Sequence, residues 1–83
     1  MKTMSCSIFT ADNRGQFDSV FHVTVPSVSG TTDVYPDCAE SYMLLEEGDI
    51  EIYKDASDEP LVVHVVDGGC FFRDQHLTIF VAS

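Results

Sequence analysis

The 83 residues suffice for one small domain, spanning 1–83, whose core must be thin, because a chain of this size buries only ~60% of the surface its unfolded form exposes. Apolar residues at 45% and aromatics at 11% exclude a disordered tail. Fourteen Asp and Glu against four Lys and Arg give a net charge of −10. Nucleic acid and anionic lipid need clustered cations and are poor partners; a basic or polar protein surface suits this chain better. No apolar run approaches ~20 residues, so no segment reads as a membrane span. The start, Met1 to Cys6, lacks the apolar stretch of a secretory signal. Cys6, Cys38 and Cys70 are odd in number with no CxxC pair, which points to reduced thiols in a cytoplasm-like compartment.

In chain order, Met4 to Thr10 reads as a first strand and Ala11 to Gly15 as a loop. Phe17 to Val25 is the longest predicted strand. Strict alternation puts Phe17, Phe21, Val23 and Val25 on one face, with Ser19 interrupting it. Asp18, Val20, His22 and Thr24 fall on the other. Pro26 is expected to end this strand, since proline cannot donate to a ladder. Ser27 to Gly30 reads as a turn, and Thr31 to Tyr35 as a short strand stopped by Pro36. Ser41 to Leu45 is another extended run. Glu46 to Asp49 is a tight connection, followed by the alternating Ile50 to Tyr53.

Asp55 to Pro60 reads as an acidic hairpin end. Leu61 to Val66, nearly all Val, has the composition of a strand buried on much of both faces. Asp67-Gly68-Gly69 reads as a sharp reversal. Cys70 to Arg73 and Leu77 to Val81 pair across Asp74-Gln75-His76. No window sustains 3.6-residue periodicity, and the even spacing of strands predicts an all-β sandwich or barrel.

Catalytic spacings such as GxSxG, HExxH, a Walker loop and GxGxxG are absent. His22, His64, His76 and Cys38 stand singly, whereas zinc ligands come in pairs at short spacing. They read as ordinary strand and turn residues. The run 55–59 lacks the DxDxDG pattern that gathers oxygens around calcium. Asp37 and Glu40 beside Cys38 oppose a thiolate there, which makes it a poor nucleophile. No catalytic residue, metal, nucleotide or other cofactor is expected, and a small metal-dependent enzyme is carried only as a third reading.

Several segments line up with one family. Val23-Thr24-Val25-Pro26, then Gly30, then Val34-Tyr35-Pro36 resembles the V-T-L-P-x-x-x-G-x-x-G-V-x-P-G-H-A-P stretch of the F-type ATP synthase ε subunit. Leu45 to Ile52 is similar to its L-x-x-G-x-I-x-I turn and strand. Val65 to Phe71 resembles its V-x-S-G-G-F segment, and His76 to Ala82 its V-T-V-L-A ending. The order and near-matching spacing run from about Val20 to the end. The departures lie in the loops: the family has Gly where Asp33 and Asp37 stand, His at Cys38 and Pro at Glu40.

The resemblance implies the N-terminal domain of that subunit, a flattened antiparallel β-sandwich of two sheets. The family's helical hairpin has no counterpart before Ser83, so neither its inhibitory action nor an ATP site is implied. The implied role is a non-catalytic part of the rotor. A sheet face would bind the γ subunit and loops would bind the c-ring, helping couple proton transport to ATP synthesis. It implies a peripheral location on the cytoplasmic side of an energy-transducing membrane, with no nucleic acid partner.

Alternation adds candidate residues. If Leu77, Ile79 and Val81 point inward, Phe80 and Thr78 point outward; if Val63 and Val65 are inward, Val62, His64 and Val66 face away. Phe80, Val62 and His64 are therefore the candidate γ contacts. By likeness to the family, Ser29, Gly30, Thr31 and Cys38 are the candidate c-ring contacts. The alternative is a stand-alone sandwich that binds a protein or ligand and shares only the fold with ε.

Overall fold

The computed structural model describes residues 2–54 and 59–82. Within the acidic run read at 55–60, residues 55–58 lie outside the described residues, and with them most of the calcium-like stretch. Eight strands and no helix occur among the described residues: β1 (Met4–Phe9), β2 (Arg14–Ser27), β3 (Gly30–Val34), β4 (Ser41–Leu45), β5 (Gly48–Lys54), β6 (Leu61–Val65), β7 (Asp67–Arg73) and β8 (His76–Ala82). They form two layers, β1-β8-β7-β4 and β3-β2-β5-β6, in a body of 32 × 24 × 19 Å. The expected flattened all-β sandwich of two sheets is the observed fold.

β2 joins the layers. Its first half pairs with β1 from Arg14 to Val20, and its second half with β3 from Val23 to Ser27 and with β5 from Val20 to Thr24. The ladder closes where Ser27 meets Leu45 of β4. One pairing departs from the antiparallel expectation: β1 and β8 run parallel, Cys6 opposite Leu77 and Ile8 opposite Ile79. A parallel neighbour needs a long crossover, and nearly the whole chain serves as that crossover here.

The core lies between the layers. Cys6 and Ile8 of β1, Leu77 and Ile79 of β8, Cys70 and Phe72 of β7 and Leu45 of β4 face Val23, Val25, Ile50, Ile52 and Val65. On β8 the alternation holds as read, with Leu77, Ile79 and Val81 buried and Phe80 exposed.

On β2 it does not. Val20, placed by alternation on the face opposite Val23, is fully buried with it. Two irregularities account for this. Between Cys6–Phe17 and Met4–Val20 the register against β1 slips, with Ser19 at φ 58°; between Val20–Lys54 and His22–Tyr53 it slips against β5. Each bulge inserts a residue and flips the phase of those that follow. The inward set thus becomes Phe17, Val20, Val23 and Val25.

Two further expectations are corrected. Pro26 does not end β2: it lies opposite Thr31 within the strand, and its carbonyl accepts the Glu46 N–H at 2.8 Å. The β5 ladder has already stopped at Thr24, so the missing donor interrupts no pairing with it. Gly68 and Gly69 are not a reversal but lie inside β7, opposite Val81 and Phe80. A Cβ on Gly68 would sit 2.1 Å from the Phe80 carbonyl oxygen. Glycine is required there by the close approach of two backbones, not by turn geometry.

The reversal between β7 and β8 is tighter than expected. Only Asp74 and Gln75 form it, with φ 52° and 60°, the paired left-handed geometry of a two-residue hairpin turn. Gln75 is held by Asp37, itself at φ 72°. The Asp37 N–H donates to Gln75 Oε1 at 2.8 Å, and Gln75 Nε2 donates to Asp37 Oδ1 at 3.0 Å. Lys2 Nζ reaches the other Asp37 oxygen at 3.0 Å.

Candidate interaction face

The outer surface of the β1-β8-β7-β4 layer is apolar across four strands. Registers place Leu44, Gly69, Phe80 and Phe9 side by side in one row, with Tyr42, Phe71, Thr78 and Ser7 in the next. Phe80 stacks on Phe9 with centroids 5.4 Å apart and lies 6.1 Å from Phe71. Tyr42, Leu44 and Phe80 remain 67%, 54% and 47% exposed. Offset aromatic stacking holds the rings in place while one side faces solvent. A shallow groove lined by Val28, Ser29, Tyr42 and Leu44 continues this surface to the β2–β3 turn. An apolar row of this kind marks a contact surface more often than ordinary solvent-facing sheet.

The opposite outer face is polar along β3, β2 and β5, while β6 exposes Val62 beside His64. His22 is sandwiched between Tyr35 and Tyr53, at 4.5 and 4.9 Å. Its Nε2 lies 3.1 Å from Asp33 Oδ1, which also accepts from Thr24 Oγ1 at 3.0 Å. These hydrogen bonds from His22 and Thr24 hold the Asp33 carboxyl below its usual range. Desolvation, then the hydrogen bond to Glu51, pushes the Tyr53 phenol up. His64 Nδ1 lies 2.9 Å from Asp49 Oδ1 and its Nε2 3.7 Å from Glu47 Oε2, and the Asp49 hydrogen bond raises its pKa. His76 bonds Ser7 Oγ at 2.9 Å. The histidines thus pair with different partners, and among the described residues no three His, Cys, Asp or Glu side chains converge as metal ligands.

The candidate residues separate on this frame. Phe80 sits at the centre of the aromatic row. Val62 and His64 are exposed too, but on β6 of the other layer, so the three do not share a face. Ser29, Gly30 and Thr31 sit together at the β2–β3 turn, Gly30 at φ 116°. Cys38 lies beyond the far end of β3, where the Tyr35 N–H donates to its sulfur at 3.2 Å. Sequence reading missed Phe9, Tyr42, Leu44 and Phe71. The available signal was that Ser41 to Leu45 and Cys70 to Phe72 carry apolar groups on both faces.

The thiols also separate. Cys6 and Cys70 have no exposed surface. Burial, with Cys70 adding a smaller coulombic contribution, pushes Cys6 up to about 12; burial pushes Cys70 up to about 11. Only the thiolate reacts with disulfide reagents. Native protein is therefore expected to release one equivalent of thionitrobenzoate first, from Cys38, and three after denaturation. Rapid release of more than one from the native protein would contradict the packing.

No protein-family model matches the sequence, and comparison with curated proteins finds no match. The fold does have solved counterparts. A chain in the "Cryo-EM structure of Tetrahymena thermophila mitochondrial ATP synthase - central stalk/cring" superposes with a TM-score of 0.82 at 15% identity, covering 99% of this chain and 65% of that one. At that identity the likeness establishes a shared β-fold, and this chain spans 65% of its neighbour's length.

Proposed function

We propose that this protein is a non-catalytic rotor component of an F-type ATP synthase. It docks on the γ subunit through the outer face of β1-β8-β7-β4 and reaches the c-ring through the β2–β3 turn. The observation that carries this is the aromatic row centred on Phe80. The ε-like motifs and the neighbour from a central stalk and c-ring structure support the same reading.

A rotor part needs stiffness and two contact surfaces. The ladder that runs through both layers supplies the first. The row and the adjoining turn at Ser29, Gly30 and Thr31 supply the second. Val62 and His64 lie off this face and are not needed for the γ contact, and Cys38 lies away from the turn proposed for the c-ring contact. Among the described residues no helix is long and apolar enough to cross a membrane; attachment through the complex fits that observation.

Co-purification with the cognate γ subunit tests the proposal. Half of Phe80 remains to be buried, so Phe80→Ala should weaken γ binding about tenfold, and Phe80→Ala with Leu44→Ala about a hundredfold. Because Phe80 also stacks on Phe9, the single change should cost about 1–2 kcal/mol of stability, well below the ~3–5 of a fully buried Phe. Undiminished γ binding by the double variant would exclude this face. Failure of the wild-type chain to bind γ at all would favour a stand-alone binding module.

A further inference from the structure

The aromatic row leaves one feature unused. Among the described residues β6 ends the strand order and pairs with β5 alone, so every second N–H and C=O along it points away from the sheet. Its sequence, Leu61-Val62-Val63-His64-Val65, has strong β propensity and no Lys, Asp or Glu. Exposed edges are usually blunted by charge, proline or a bulge. The other edge of this layer, β3, carries Asp33. Along β6 the β5 register is regular from Gly48–Val65 to Ile52–Leu61. Leu61 and Val62 are 43% and 51% exposed.

Charge decides what this edge accepts. Glu46, Glu47, Asp49, Glu51 and Asp67 flank β5 and β6, with Lys54 the one Lys or Arg from Glu46 to Asp67. A second copy would bring the same carboxylates against them, on a body already at −10. We infer that the free edge of β6 takes an extended, Lys- or Arg-bearing segment of a different protein as an added strand. Backbone hydrogen bonds would supply affinity, the apolar side chains of β6 would pack alternate residues of the guest, and the carboxylates would select a basic flank. This surface lies on the layer opposite Phe80 and does not depend on the γ proposal.

The test uses the whole chain and a synthetic peptide, Lys-Val-Thr-Val-Thr-Val-Lys. Titration should slow hydrogen exchange at alternate amides of Leu61 to Val65 and leave β3 unchanged. N-methylation of alternate peptide nitrogens, or replacement of its lysines by glutamates, should weaken binding at least ~10-fold. Val62→Lys and His64→Lys, both at exposed positions, should do the same, while Phe80→Ala binds the peptide normally. Unchanged exchange across β6 with peptide in millimolar excess would overturn the inference. Equal binding of the glutamate peptide would also overturn it. So would concentration-dependent protection of β6 without peptide, which makes a second copy the occupant.

Discussion

Gly68→Ala should cost about 3 kcal/mol or more, or prevent folding outright. The new methyl carbon would lie 2.1 Å from the Phe80 carbonyl oxygen and 3.2 Å from the Val81 Cα. These are backbone atoms of the neighbouring strand, so relief requires β7 and β8 to separate where Gly68 opposes Val81. Overpacking typically costs ~1–3 kcal/mol when side chains can yield; here none of the clashing atoms can. The whole domain holds only ~4–12 kcal/mol, on the usual ~0.05–0.15 per residue. The other glycines grade the effect. At Gly69 the methyl would meet the Tyr42 hydroxyl at 3.1 Å, a mobile group, and at Gly15 only the Phe17 ring at 3.5 Å. Denaturant melts should therefore rank loss of stability as Gly68→Ala, then Gly69→Ala, then Gly15→Ala. A Gly68→Ala protein as stable as wild type would mean that the β7–β8 register is wrong.

Val20→Asp should abolish cooperative folding. Val20 is fully buried in the core with Val23 and Val25, and the ammonium of its cross-strand neighbour Lys54 sits outside that core, 6.0 Å over the Phe17 ring. An unpaired buried charge costs several kcal/mol even after its pKa shifts, a large part of the stability of a domain this size. Strict alternation makes the opposite forecast, with Val20 on the solvent side and Phe21 inside. Phe21 is only half-buried, tilted against Tyr53 at 6.2 Å, so Phe21→Ser should cost about 1–2 kcal/mol. Thermal unfolding of the two variants separates the alternatives: a folded Val20→Asp and an unfolded Phe21→Ser would remove both bulges from β2.

The sequence by itself determined the fold class, the strand inventory and the direction of most side chains. Strands such as β8, half-buried and regularly paired, alternate in composition because one face meets the core. Leu77, Ile79 and Val81 therefore point inward and Phe80 outward by local pattern alone. The same logic exposed Val62 and His64, whereas the near-all-Val composition of 61–66, which reads as burial on much of both faces, misleads: among the described residues β6 ends the strand order and leaves Leu61, Val62 and Val66 exposed. Tertiary structure decided the phase of β2. Ser19 has the chemistry of any strand serine, and its φ of 58° arises because β2 must leave β1 and join β5. It also decided why a glycine stands at 68, since the backbone of the neighbouring strand leaves no room for a Cβ whether or not the chain turns. The interaction face depends most on it. Phe9, Leu44, Gly69 and Phe80 are distant in sequence and become one row only through the registers of β1, β8, β7 and β4. Alternation tells each strand which side is out, but not which outward residues become neighbours, because cross-strand register is set by the packed core they share.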